Sequence, residues 1–410
     1  MTPRGSTEPT SAADLLPDSR QPAAMSDFRP SRRGLAALIA AAPAAAAVPA
    51  ASQPAPKPFS RDDARAIVRD ARRIVNPGGV EELRQVELGG VPQWISVRGR
   101  DRRNPILLFV HGGPAATEMP AAWLYQSPWE DFFTVVQWDQ RGAGKTAATT
   151  DNPAIMPSVT VERMVQDGEE LVAHLRQRYG KRKIFVIGHS WGTVIGLSLA
   201  HRRPDWLHAY VGMGQLLCWQ ENERVSYAFA LRQAKADNNA QAIKDLESIA
   251  PYPPPNRPAT LDEVIKERIW VIHYGGLTMG RQDFDYDMNA RKISPDYTDR
   301  DLSPPGFKDG EALVRLLPDL TALDLRKITA LKVPVFLFAG RRDYQTPSQI
   351  AEAWLKTVKA PKTGLFWFEH SAHMMHMEQP GKALMHLVQD IRPIAAKAGD
   401  VAPDDQPGVD

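Results

Sequence analysis

Serine, aspartate and histidine occur in this chain in an order and setting suited to nucleophilic catalysis. Ser190 stands in Gly188-His189-Ser190-Trp191-Gly192, which fits the pattern G-x-S-x-G. The apolar run "KIFVI" leads into it, and the small-residue helical pattern "TVIGLSLAHRR" follows. In a strand-turn-helix elbow of this kind the hydroxyl is held out on a tight turn, and the glycines let strand and helix approach closely. A serine hydroxyl is a poor nucleophile until a base removes its proton, and the base needs an orienting acid. Asp343 is the candidate acid, in "GRRDYQTP" just after the apolar run "VPVFLFAG". Three histidines compete for the base in "FEHSAHMMHMEQP". His370 lies close to a strand end and His376 could simply pack, which leaves His373 best placed in the loop.

Acyl transfer also needs donors for the developing oxyanion, worth about 3 kcal/mol each when removed. The backbone N–H of Trp191, directly after the nucleophile, is one candidate. The other comes from "FVHGGPAA", where Pro114 has no N–H and Gly113 is therefore the donor to expect.

These loops need a frame. "PILLFV" (105–110), "FTVVQW" (133–138), "KIFVIG" (183–188), "HAYVGMG" (208–214), "VPVFLFAG" (333–340) and "TGLFWFE" (363–369) are continuous apolar runs, as buried parallel strands require. Helical patterns separate most of them, notably "VERMVQDGEELVAHLRQRYG", so a mostly parallel, doubly wound α/β sheet is expected. "RQVELGGVPQWISVRG" alternates around Gly-Gly and predicts a hairpin. "RDDARAIVRDARRIV" has helical spacing, with Asn76-Pro77-Gly78-Gly79 to stop it. From 216 to 327 no buried strand is evident. That stretch reads as a helical cap inserted after the sixth strand.

Composition narrows the partners. The chain has 410 residues, 43% hydrophobic and 24% charged, with a formal net charge of +2, which gives no reason to expect nucleic acid. Cys218 is the one cysteine, so neither an intramolecular disulfide nor a thiolate metal cluster is possible. No metal or other cofactor is expected, and "GAGKT" is too short for a phosphate loop. "SRRGLAALIAAAPAAAAVPA" (31–50) combines an arginine pair, an apolar stretch and small residues, as an export signal does. Its apolar run is broken by Pro43 and does not suit a stable membrane span. The expected division is a disordered extension (1–24), an export signal (25–50), a linker (51–60), a core in two parts (61–215 and 328–397) around the cap (216–327), and a flexible tail (398–410). A periplasmic or secreted destination follows, and Arg32-Arg33 resembles the twin-arginine signal.

"HGGP", "WDQRGAGKT", "GHSWGT", "GRRDYQTP" and "SAHMMHMEQP", in this order, resemble the α/β-hydrolases, and most of all the proline iminopeptidase group. The resemblance covers roughly residues 80–395. It implies an α/β-hydrolase fold, Ser190, Asp343 and His373 as the triad, and Gly113 and Trp191 as oxyanion donors. Asp139 and Arg141 match the family's "DQRG" turn, which implies a structural ion-pair site. Ala115 and His189 depart from the peptidase pattern, where glycine is usual.

Three functions are consistent with these residues. The first is a serine hydrolase removing an N-terminal residue from short peptides or amides. The second is a carboxylesterase or lactonase acting on a small-molecule ester. The third is a non-catalytic binding scaffold, which would not need a complete triad. Serine at the elbow disfavours epoxide and haloalkane hydrolysis. An exopeptidase must pair the substrate ammonium with a carboxylate, and Glu221, Glu223, Asp262, Glu263 and Glu267 are the candidates in the cap. The oligomeric state is not legible.

Overall fold

The eight strands of the sheet lie in the order β1-β2-β4-β3-β5-β6-β7-β8 in a computed structural model that describes residues 58–303 and 310–403. They are β1 (Val80–Leu88), β2 (Val91–Gly99), β3 (Ile106–Val110), β4 (Thr134–Trp138), β5 (Ile184–His189), β6 (Leu207–Met213), β7 (Val335–Gly340) and β8 (Thr363–Phe368). From β4 through β3, β5, β6 and β7 to β8 every pairing is parallel. β1 and β2 form an antiparallel hairpin around Gly89 and Gly90, both at positive φ, the conformation a two-residue hairpin turn demands. The expected export segment lies outside the described residues.

The apolar runs are buried on both faces because side chains alternate along a strand. Leu108 and Val110 of β3 pack with Val186 of β5 on one face, under the helices Val161–Arg178 and Gly192–Arg202. Leu107 and Phe109 point the other way, into a cluster with Phe185, Val211, Phe338 and Leu387. Helices thus cover both sides, as a parallel sheet requires.

The first helix is shorter than its pattern. Arg61–Ala71 starts with a capping box from Ser60 to Asp63 and stops well before Asn76. Arg72 caps the helix with its N–H still on Val68 O, its side chain pairs with Asp296 at 3.0 Å, and its carbonyl is taken by Arg98. Tertiary contacts end the helix before the proline does.

Between β6 and β7 the described chain is helical, in Trp219–Ala236, Ala240–Ser248, Leu261–His273, Asp285–Lys292 and Glu311–Ala322. This segment lies on the loops that leave β7 and β8. Ser226 Oγ donates to Tyr344 O (2.6 Å) and Asn222 Nδ2 to Gln345 O (2.8 Å), while His373 N–H donates to Leu277 O (2.9 Å).

Candidate active site

Sheet order explains why residues distant in sequence meet. β3, β5, β6, β7 and β8 are consecutive neighbours, and their carboxyl ends are level: Val110 pairs with Gly188, His189 with Met213, and Gly340 with Phe368. The loops that follow therefore open on one edge, where ligands bind in open α/β sheets.

Ser190 occupies the turn after β5 with φ of 54°, a left-handed conformation that costs a non-glycine residue energy and that surrounding structure must enforce. The enforcement is visible. Ser190 N–H donates to Met213 O (2.9 Å), and Thr193 Oγ1 donates to Ser190 O (2.5 Å). Gly192 cannot carry a side chain, since a Cβ there would come within 2.0 Å of Val110 O. The elbow is thus pressed against the end of β3.

Asp343 Oδ2 accepts a hydrogen bond from His373 Nδ1 at 2.9 Å, and both residues are buried. Thr346 fixes the carboxylate from two sides, its N–H to Oδ1 (2.8 Å) and its Oγ1 to Oδ2 (3.0 Å). Gly214, which follows the acceptor of the Ser190 N–H, lies against the imidazole: a Cβ there would sit 2.8 Å from Cε1. Ser190 Oγ makes no hydrogen bond to this ring. Such bonds often close only in the substrate complex. The other two histidines do not reach the acid: His370 is exposed, and His376 is fully buried.

Gly113 and Trp191 line a cavity of about 240 Å³ together with Ser190, Leu216, Trp219, Asn222, Val264, Arg268 and Leu313. Gly113 has φ of 108°, open only to glycine. Neither N–H is engaged by another described backbone group. Gln140 locks the two loops together. Its Nε2 donates to His111 O (2.9 Å), and its Oε1 accepts from Trp191 Nε1 (3.0 Å). A larger cavity, about 500 Å³, lies beyond Ala115 and Thr117 and contains neither Ser190 nor His373.

Asp139 and Arg141 do not pair with each other. Arg141 forms a buried ion pair with Asp167 (2.8 Å), and Asp139 accepts from Tyr297, Thr117 and the Lys145 N–H. Burial pushes the Asp139 carboxyl up to about 6 against those hydrogen bonds.

Two of the five cap acids come together beside the cavity. Glu223 and Glu267 are fully buried and share one cation, Arg268, whose Nη1 is 2.6 Å from Glu267. Ser226 Oγ lies 2.6 Å from Glu267 Oε1, and Tyr252 and Asn222 donate to Glu223. Burial raises the Glu267 pKa, with Arg268 opposing it. The remaining three are engaged nearer the surface: Glu221 with Arg326, Asp262 with Lys266, and Glu263 with Arg257. Thr346, Gln140, Asn222 and Arg268 were not singled out from sequence, because nothing in their local spacing marks them.

The chain belongs to the α/β-hydrolase fold family, whose model matches residues 105–380. The "Probable aminopeptidase YbaC" of Bacillus subtilis (strain 168) is 27% identical over 301 residues, 73% of this chain and 92% of that one. A proline iminopeptidase of Neisseria gonorrhoeae is 31% identical over 144 residues, 34% of this chain and 39% of its own length. A proline iminopeptidase-related protein from Thermus thermophilus shares the fold at a TM-score of 0.55 and 17% identity, over 77% of this chain and 98% of that one. The protein is thus a hydrolase enzyme resembling the proline iminopeptidases.

Proposed function

We propose that the protein is a serine exopeptidase that releases the N-terminal residue of short peptides or amides through an acyl-enzyme. The observation that carries the chemistry is the Asp343–His373 hydrogen bond, buried next to a serine held at positive φ. In this reading Ser190 Oγ attacks the scissile carbonyl while His373 Nε2 takes its proton, and Asp343 holds the Nδ1 proton and stabilises the imidazolium. The N–H groups of Gly113 and Trp191 receive the oxyanion. The imidazolium then protonates the leaving amine, and water enters by the reverse sequence to free the acid.

Substrate preference rests on the cap. Two glutamates for one arginine leave a net negative charge when both are ionised, which favours one further cation such as a substrate ammonium. Leu216, Trp219, Val264 and Leu313 suit a small apolar side chain. The printed names of the relatives agree with an aminopeptidase. A second reading has its own observation: among the described residues the charged group lining the cavity is Arg268, not a carboxylate, which suits a neutral or anionic acyl group and hence an esterase. Comparing kcat/KM for prolyl and alanyl arylamides with their N-acetyl forms decides the matter. The exopeptidase reading expects acetylation to lose several kcal/mol of transition-state stabilisation. Equal values within each pair, with p-nitrophenyl esters far faster, would establish the esterase.

A further inference from the structure

Next to the elbow, but outside the lining of the substrate cavity, three buried side chains from distant parts of the chain face one gap. Glu118 precedes the turn Met119–Leu124, His189 ends β5, and His376 lies in the short helix Met375–Glu378. They are 3%, 3% and 0% exposed, and one ligand atom from each lies within 4.8 Å of the others. His189 Nδ1 is 3.9 Å from Glu118 Oε1, and His376 Nε2 is 3.6 Å from Glu118 Oε2.

Among the described residues Glu118 Oε2, His189 Nδ1 and both nitrogens of His376 have no hydrogen-bond partner, although buried polar groups almost always have one. The tautomer of His189 sharpens the point. Its Nε2 lies 3.1 Å from the His373 carbonyl, which can only accept, so Nε2 carries the proton and Nδ1 presents a lone pair to a carboxylate. Two electron-pair donors turned toward each other in a buried site call for something positive between them. The neighbouring charges do not supply it. Arg291 stands 3.9 Å from Glu118 but is also the ion-pair partner of Asp287, so two carboxylates share one guanidinium.

We propose that Glu118, His189 and His376 form a binding site for a divalent transition-metal ion of the zinc type, independent of the substrate reading above. Two neutral imidazoles and a carboxylate are a donor set zinc accepts, and imidazole nitrogen selects against magnesium and calcium. Burial favours the neutral rings, keeping His376 at about 3 and His189 well below the ordinary histidine value. Zinc bonds of about 2.0–2.1 Å place tetrahedral donors roughly 3.4 Å apart, so edges of up to 4.8 Å have to contract by up to about 1.4 Å. The His189–His373 carbonyl bond is an outer-shell contact of the kind that orients metal-bound histidine. An ion here would tie the end of β5 to the loop carrying His373, and so hold the base in place without touching substrate.

The test uses untagged full-length protein, dialysed free of metal and titrated with Co²⁺. Visible d–d bands from a low-coordinate nitrogen and oxygen site should saturate at about one equivalent and be displaced by Zn²⁺. Protein from zinc-supplemented cells should contain about one zinc per chain by elemental mass spectrometry. Glu118→Gln should bind at least tenfold more weakly, and added zinc should raise the Tm of the wild type but not of this variant. Uptake no greater than a buffer blank would overturn the site, leaving a water or a proton in the gap. Equal uptake by the wild type and a Glu118→Gln, His376→Asn double variant would overturn it as adventitious binding. If the variants misfold by circular dichroism, wild-type stoichiometry and the Co²⁺ spectrum still decide.

Discussion

Replacing Asp343 by asparagine removes one charge and almost no volume, and the surrounding hydrogen bonds dictate which way the new amide turns. Thr346 N–H points at Oδ1 from 2.8 Å and can only donate, so the asparagine oxygen must take that position. Its NH₂ group then occupies the place of Oδ2 and faces His373 Nδ1, now 2.9 Å from a carboxylate oxygen. A donor there forces Nδ1 to accept, and the imidazole proton moves to Nε2. That nitrogen can no longer take the proton of Ser190. The loss expected from a wrong tautomer is about 10⁴-fold in kcat, or about 5.5 kcal/mol at 1.36 kcal/mol per tenfold. Stability should change far less, by about 1–2 kcal/mol, because the Thr346 N–H remains paired. Initial rates on p-nitrophenyl acetate and alanyl arylamide, beside urea unfolding of both proteins, give the two quantities. A kcat within tenfold of the wild type in a folded variant would refute the roles given to Asp343 and His373.

Ser190→Ala should fold normally and lose labelling by a fluorophosphonate probe; equal labelling of both proteins would remove Ser190 as nucleophile. Glu267→Gln should depress kcat/KM for free-amine arylamides by about 10²-fold while sparing neutral esters, as expected for loss of a buried counter-charge. Because burial raises the Glu267 pKa, the ratio of free-amine to ester activity should fall as pH drops through that raised value, and the variant should show no such slope. Asp139 makes a stability prediction with a definite sign. Its folded pKa of about 6 exceeds that of the unfolded chain, so its contribution is complete below about pH 3.8 and is lost as pH rises through 6. Unfolding midpoints of the wild type minus those of Asp139→Asn should fall between pH 4 and 7; a flat difference would mean the carboxyl titrates normally. We also propose export by the twin-arginine route, so that changing Arg32 and Arg33 to lysine leaves the protein cytoplasmic and unprocessed; undiminished periplasmic recovery would count against it.

The sheet was legible from sequence because strands buried on both faces must be continuously apolar, and six such runs match β3 to β8. The elbow was legible too, since its glycines are imposed by local crowding: a Cβ on Gly188 would meet Gly192 O at 2.5 Å. Asp343 and His373 could be nominated because each follows a strand at the edge where loops converge, and their pairing depended on β7 and β8 being adjacent in the sheet. Other features had no local pattern. The early end of the first helix depends on Arg98 and Asp296, far along the chain. The turn residues Asp139 and Arg141 look like partners two positions apart, but the fold gives Arg141 to Asp167 and Asp139 to Tyr297. Five cap acids were equivalent as letters. Only helix packing buried Glu223 and Glu267 around Arg268 and left Glu221, Asp262 and Glu263 paired nearer the surface. Glu118, His189 and His376 are separated by 71 and 187 positions, so no spacing rule could group them. Local sterics and hydrophobic periodicity are written in neighbouring residues. Charge pairing and desolvation are decided by which distant side chains the sheet order and the cap bring into the same dry space.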